Sequence, residues 1–328
     1  MDSKNPQSND SQAVSRSRRQ FLRRAAALGG GLVAWPRAAD ARGARPEGSA
    51  QVRSGTFVTS DGVGLHYLEA GRGKPLVLIP GWSQTAAMYW PQLQALSRHH
   101  RVIALDMRGH GDSDKPAGGY RIARLAKDLH EFLEKMDGGN ITVAGHSMGC
   151  SVIWSLWEQF GRSRVDRLIL IDQAPAVTAW PGWSEDERAE AGTLFTPQSL
   201  YDTAAGLAGP DGVRVSEGLV RGLFSSSFPE DALAEVIEQN LKFPRAAAAR
   251  LLVDHCGQDW RDLIPTLDVP TLVVGGEVSI FHPRSQQWIA RQIPGAQLSI
   301  FSASEGGSHF MFLENPDKFN QLVLDFLG

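Results

Sequence analysis

Ile141-Thr142-Val143-Ala144-Gly145-His146-Ser147-Met148-Gly149 is the stretch whose reading decides the fold. An apolar run leads into G-x-S-x-G, and a helix-like stretch from Ser151 to Phe160 follows it. The motif has meaning only in such a strand–turn–helix setting. The turn is so sharp that Ser147 must take strained dihedrals, and side chains at Gly145 and Gly149 would collide with their surroundings. The strain lifts the Ser147 hydroxyl clear of the strand end, within reach of a base and a substrate. By itself the motif is equally a glycine-rich turn that holds a serine, so the rest of the chain must decide.

Outward from this turn the chain alternates strand and helix patterns. A hairpin is expected from Phe57-Val58 to Gly64–Leu68, then strands over 76–79, 101–105, 141–145, 167–171, 271–275 and 297–301. Between them, Tyr120 to Met136 carries Ile122, Leu125, Leu129, Phe132 and Met136 on one helical stripe, with Lys127, Asp128 and Glu134 expected outside. A last helix is expected from Pro316, capped by Asn315 and burying Phe319, Leu322, Val323 and Phe326. Such alternation predicts an α/β fold with a mostly parallel sheet, whose ligand site lies at the carboxyl ends of the strands.

Several candidate residues map to those ends. His309, in Gly307-Ser308-His309-Phe310, lies between the last strand and the last helix, where a general base for Ser147 would sit. Ile79-Pro80-Gly81-Trp82-Ser83 follows the strand at 76–79. The Trp82 and Met148 N–H groups are candidate oxyanion donors. Asp106-Met107-Arg108-Gly109-His110-Gly111-Asp112-Ser113 follows the strand at 101–105, and Asp268-Val269-Pro270 opens the strand at 271–275.

With these motifs together, the chain resembles the α/β-hydrolase family from about Thr56 to Gly328. The resemblance implies an eight-stranded, mostly parallel sheet with helices on both faces, and a serine, histidine and acid triad with no cofactor. It points most closely to single-domain ester and lactone hydrolases. One departure bears on the triad. The family usually carries Asp in a G-x-x-D turn after the seventh strand, and here that turn reads Gly276-Glu277-Val278-Ser279. Asp172, which ends the strand at 167–171, is the preferred substitute, as in some family members, and Glu277 is the alternative acid. A histidine without its acid would be held in the wrong tautomer.

The segment 174–244 breaks the alternation with short helical patterns, prolines and aromatics. It resembles the family's helical cap, inserted after the sixth strand between core segments 56–173 and 245–328. Trp82, His146, Met148, Trp180 and Trp183 are candidate pocket walls, against the simpler reading of the cap tryptophans as cap–core packing.

Residues 1–41 hold Arg18-Arg19, Phe21-Leu22, a short apolar run and Ala39-Asp40-Ala41. They read as a twin-arginine export signal, with 42–55 as a linker, so a bacterial periplasmic or secreted enzyme handled by the twin-arginine machinery is expected. The apolar run is too short for a stable membrane anchor. Without that leader, 26 basic and 33 acidic residues remain, a net charge of −7. This gives no electrostatic basis for nucleic-acid binding. Two cysteines, Cys150 and Cys256, make no disulfide framework, and no His/Cys/Asp spacing predicts a metal site. The expected chemistry is acyl transfer from a small to medium, largely apolar ester or lactone to water through Ser147. Carbon–carbon bond hydrolysis, perhydrolysis and a non-catalytic ligand-binding role are the alternatives.

Overall fold

The apolar runs become strands because helices cover them on both sides. The structure is a computed structural model that describes residues 51–137 and 139–328. The export-signal expectation for 1–41, and the expected linker 42–55 as far as residue 50, lie outside the described residues, while residues 53–55 of that linker belong to the first strand. Eight strands form one sheet: β1 (Arg53–Val58), β2 (Gly64–Ala70), β3 (Pro75–Ile79), β4 (Arg101–Leu105), β5 (Ile141–His146), β6 (Val165–Ile171), β7 (Thr271–Gly276) and β8 (Gln297–Phe301). Their order is β1-β2-β4-β3-β5-β6-β7-β8. Only β2 runs against the others, pairing antiparallel with β1 and β4. Every residue of β3, β5 and β7 is buried, whereas the edge strands β1 and β8 are partly exposed.

Helices α1 (Trp90–Leu96) and α11 (Pro316–Leu327) cover one face, and α2 (Ile122–Lys135) and α3 (Met148–Phe160) the other. Strand alternation divides the core between them. Leu76 and Leu78 pack with Leu93, Leu96, Phe319 and Val323, while Val77 and Ile79 pack with Leu125, Leu129, Val152 and Ile153. Asn315 caps α11 as expected, accepting from Lys318 N at 3.3 Å. Leu322 and Phe326 are only half-buried, and Leu327 is buried instead.

One expectation for α2 is corrected. Lys127 and Glu134 face outward, but Asp128 is fully buried. Arg108, from the loop after β4, reaches under the helix and grips the Asp128 carboxylate through Nε at 2.5 Å and Nη2 at 2.6 Å. A bidentate charge-assisted pair offsets the desolvation that a lone buried carboxylate would suffer. That partner is remote in sequence, so periodicity alone could not reveal it.

Between β6 and β7 the chain makes α4 (Glu185–Ala191), α5 (Pro197–Ala208), α6 (Gly212–Arg221), α7 (Glu230–Leu241) and α8 (Arg245–Cys256). Leu200, Ala204 and Leu207 of α5 share a small apolar cluster with Ala249, Leu252 and Cys256 of α8 and with Phe281. After β7 come α9 (Pro283–Gln292) and the short α10 (Met311–Glu314). Both cysteines are buried and free. Among the described residues no helix is long and apolar enough to cross a membrane.

Register brings the central strand ends level. Ile79 pairs with Gly145, His146 with Ile171, and Ile171 with Val274. The next residues along, Ser147 and Asp172, therefore emerge side by side at one end of the sheet.

Candidate active site

Ser147 occupies φ 52°, ψ −127°, between the end of β5 and the start of α3. Such a conformation for a non-glycine residue is strained, and the surrounding packing must hold it. The flanking glycines allow that packing. A Cβ on Gly145 would lie 2.6 Å from Gly149 C, and one on Gly149 would lie 2.5 Å from Ile79 O. Ser147 N donates to Ile171 O at 2.8 Å, which fixes the turn to the neighbouring strand.

His309 follows β8 and stands 2% exposed. The imidazole Nδ1 is 2.6 Å from Asp172 Oδ2. Asp172 lies one residue beyond β6, fully buried, with φ 48°. Aspartate tolerates this left-handed backbone better than most residues. Two further groups donate to its carboxylate: the Ser279 hydroxyl to Oδ2, and Gly276 N to Oδ1 at 3.4 Å. Burial holds the His309 imidazole below its ordinary range, so it rests in the neutral form that a base requires. Burial also pushes the Asp172 carboxyl up, and the bonds from Ser279 and Gly276 oppose that push.

No hydrogen bond joins Ser147 Oγ to His309 Nε2 in this structure; such contacts often tighten only when substrate is bound. The two residues are held in one wall by His146. That ring is fully buried, lies 4.5 Å from the His309 ring, and has Nε2 2.8 Å from His309 O. Its Nδ1 is 3.0 Å from Gln84 Oε1, which also accepts from Gly81 N at 3.1 Å. Burial, with the nearby His309, keeps His146 well below the usual histidine range.

The loop after β3 passes directly over the nucleophile. A Cβ on Gly81 would come 3.0 Å from Ser147 Cβ. Gly81 N is taken by Gln84, but among the described residues no acceptor lies on the Trp82 N–H. Met148 opens α3, so its N–H has no intrahelical acceptor. Both amides thus remain available to an acceptor, and the Met148 amide lies at a helix N-terminus, which favours negative charge.

A model of the alpha/beta hydrolase fold matches residues 74–316. The chain belongs to the alpha/beta-hydrolase fold family. It is 31% identical over 286 residues to the non-heme chloroperoxidase CPO-A1 of Kitasatospora aureofaciens, covering 82% of this chain and 98% of that one. Solved structures that share its fold include a bromoperoxidase and an esterase. A bromoperoxidase from Bacillus anthracis has a TM-score of 0.75 and 22% identity, over 84% of this chain and 99% of that one. An esterase from Exiguobacterium antarcticum has a TM-score of 0.74 and 24% identity, over 83% of this chain and 98% of that one.

Against the alpha/beta-hydrolase pattern, the structure sorts the sequence candidates. It joins His309 to Asp172 and turns Glu277 away: that side chain is exposed and accepts from Ala303 N at 2.8 Å. Ser279, standing where the family's acid is expected, donates to the Asp172 carboxylate. Its signal in the sequence was the G-x-x-D turn with serine in the fourth place. Trp82 is half-buried, and its Nε1 donates to Ala248 O at 2.8 Å, anchoring α8. Trp180 is 61% exposed, and Trp183 packs under the Arg261 guanidinium at 4.3 Å. Neither makes a ring contact with His309 among the described residues. Phe281 and Phe310 do, with centroids 5.5 and 5.3 Å from the imidazole. No periodicity in the sequence singled these two out.

The fold also brings His66 of β2 beside Asp106 and Asp112 of the loop after β4, close enough to share a cation. Asp106 is already committed, accepting from Ala86 N at 2.6 Å and Asp112 N at 3.0 Å, with His66 Nδ1 at 2.8 Å. Lys242 occupies Asp112 at 2.8 Å. The cluster braces the loop after β4.

Proposed function

We propose that this protein is a serine hydrolase that cleaves a carboxylic ester or lactone through an acyl-enzyme on Ser147. The observation that carries the reading is the 2.6 Å contact between His309 Nδ1 and Asp172 Oδ2, made beside the strained Ser147 turn. In this mechanism His309 Nε2 takes the Ser147 proton as Oγ attacks the carbonyl carbon. Asp172 keeps the other ring nitrogen protonated and stabilises the imidazolium that forms. The Trp82 and Met148 amides receive the oxyanion. His309 then protonates the leaving alcohol, and a water that it deprotonates releases the acid and restores Ser147. The phenylalanines around His309 support a substrate that is largely apolar near the scissile bond.

Perhydrolysis is the second reading. The 31% identity to a chloroperoxidase favours it. On this site, peroxide in place of water would attack the acyl-enzyme and release a peracid. The Arg18-Arg19 leader supports the proposal that the protein is exported folded, to the periplasm or beyond.

The test is hydrolysis of a chain-length panel of p-nitrophenyl esters and lactones by the protein and by Ser147→Ala. Turnover by the first, lost in the second, is expected, together with stoichiometric labelling by a serine-directed phosphonate. Full activity in Ser147→Ala would overturn the reading. Peroxide-dependent halogenation in a carboxylate buffer, faster than ester hydrolysis, would favour perhydrolysis.

A further inference from the structure

Arg245 opens α8 next to the loop that carries Trp82. Its Nη2 donates to Ser83 Oγ at 2.9 Å, to Asn240 O at 2.6 Å and to Phe243 O. Nη1 donates to Ser216 Oγ at 2.5 Å and to Asn240 Oδ1 at 3.3 Å, and Nε to Phe243 O at 3.0 Å. Every acceptor is neutral. The guanidinium is largely buried with no countercharge among the described residues, and that burial lowers its pKa to about 10. Burying a cation without a countercharge is costly, and these hydrogen bonds are what offset that cost.

Ser83 shows what the geometry holds. It is 1% exposed, has φ 60°, and directly follows Trp82. A serine in this backbone region is strained and persists only where its surroundings over-determine it. Its hydroxyl is clamped from two sides, donating to Asn240 O at 2.8 Å and accepting from Arg245. Both partners belong to the segment between β6 and β7. Nothing in the core itself restrains that hydroxyl. A change in the Ser83 φ angle would swing the Trp82–Ser83 peptide and re-aim the loop.

We propose that Arg245 is a positioning residue: by gripping Ser83 Oγ and Asn240 O together, it holds the Trp82 N–H over Ser147 and ties that position to the seating of α7 and α8. The proposal rests on the hydrolase reading above. Arg245 touches neither substrate nor the reacting atoms. It acts through Ser83, and its effect belongs in kcat, because an oxyanion donor matters most when charge has developed on the carbonyl oxygen.

A kinetic double-mutant cycle tests this, with Arg245→Met, Ser83→Ala and the pair, read on ester turnover and on the rate of phosphonate labelling. Losing an oxyanion donor outright costs on the order of 10²–10³-fold, so a donor left in place but loosened is expected to cost about 10- to 100-fold in kcat. KM should stay within about 3-fold. Phosphonate labelling should slow in parallel, since its transition state is also anionic. The double variant should be no slower than Arg245→Met, because both changes release one contact. Arg245→Lys keeps the charge but not the fork, and should lose about 10-fold in kcat while remaining as folded as the unmodified protein. Multiplying effects, a raised KM with kcat unchanged, or full kcat in Arg245→Lys would each overturn the proposal. An unmodified protein that neither turns over esters nor takes the phosphonate would instead bring down the hydrolase reading, and the positioning role with it.

Discussion

Ser279 donates its hydroxyl to Asp172, from the place after β7 where an alpha/beta hydrolase ordinarily carries its acid. Asp172 comes from the end of β6, the strand next to β7 in the sheet. The two side chains therefore converge on one point from adjacent strand ends, and His309 Nδ1 meets them there. In the proposed mechanism Asp172 is the acid, supplied one strand earlier than the family's usual place, and Ser279 orients it from that place.

Ser279→Ala is expected to remove that donor while leaving Asp172 its His309 and Gly276 contacts. A hydrogen bond to a charged group contributes about 1.5–3 kcal/mol, so kcat/KM for a p-nitrophenyl ester should fall about 10- to 150-fold. Ser279→Asp should be worse, because it sets a second carboxylate against the first. Combining it with Asp172→Asn should recover part of the loss. Steady-state kinetics on the three variants checks this, and a Ser279→Ala enzyme of undiminished activity would remove Ser279 from the site.

Asp172→Asn should lower kcat by about 10⁴-fold, because an amide holds the imidazole in the wrong tautomer. Glu277→Gln should leave kcat within about 2-fold, since that carboxylate only receives Ala303 N at the surface. Equal losses in both variants would contradict the geometry.

How far these residues were legible depends on how local their signals are. The strands, the Ser147 turn, the His309 loop and the Asn315 cap announce themselves within a few residues, through apolar runs, paired glycines and an N-cap followed by proline. Asp172 was a candidate only through the resemblance, since some family members place the acid at that strand end, and Glu277 stood beside it as the alternative; its contact with His309 comes from the structure. The signals that failed are the long-range ones. Asp128 reads as an outer-face residue until Arg108 arrives from another segment. The rings that flank the imidazole, Phe281 and Phe310, went unnoticed because they come from loops whose packing no periodicity encodes. The clamp on Ser83 is of the same kind, since its donor lies 162 positions away in the chain.

Gly149→Ala should destabilise the fold as well as the site. Its Cβ would press on Ile79 O at 2.5 Å, a backbone atom that cannot rotate away. Overpacking of this kind costs about 1–3 kcal/mol, and here the strain falls on the turn that presents Ser147. A lowered thermal midpoint with a larger loss of kcat is expected. Gly118→Ala, where a Cβ meets nothing within 4 Å, is the control and should change neither.

The pH dependence follows from burial of the histidines. His309 must be neutral to accept the Ser147 proton, and burial lowers its affinity for protons. The acid limb of kcat/KM should therefore lie below pH 6.5, the ordinary histidine value. Stability should respond separately. His110 is pushed down to about 4 and His255 to about 3, each chiefly by burial. In the unfolded chain both titrate near 6.5, so between roughly pH 6.5 and pH 4 the unfolded state binds protons that the native state refuses. Their contribution is then fully present above pH 6.5 and is lost as the pH falls toward the native values. Urea midpoints measured from pH 8 to pH 4 should be flat at first and then drop. His255 Nδ1 has no hydrogen-bond partner, so His255→Leu removes a titrating group without breaking a bond at that atom. That variant should shift the drop to lower pH, and an unchanged acid profile would mean that His255 contributes nothing to it.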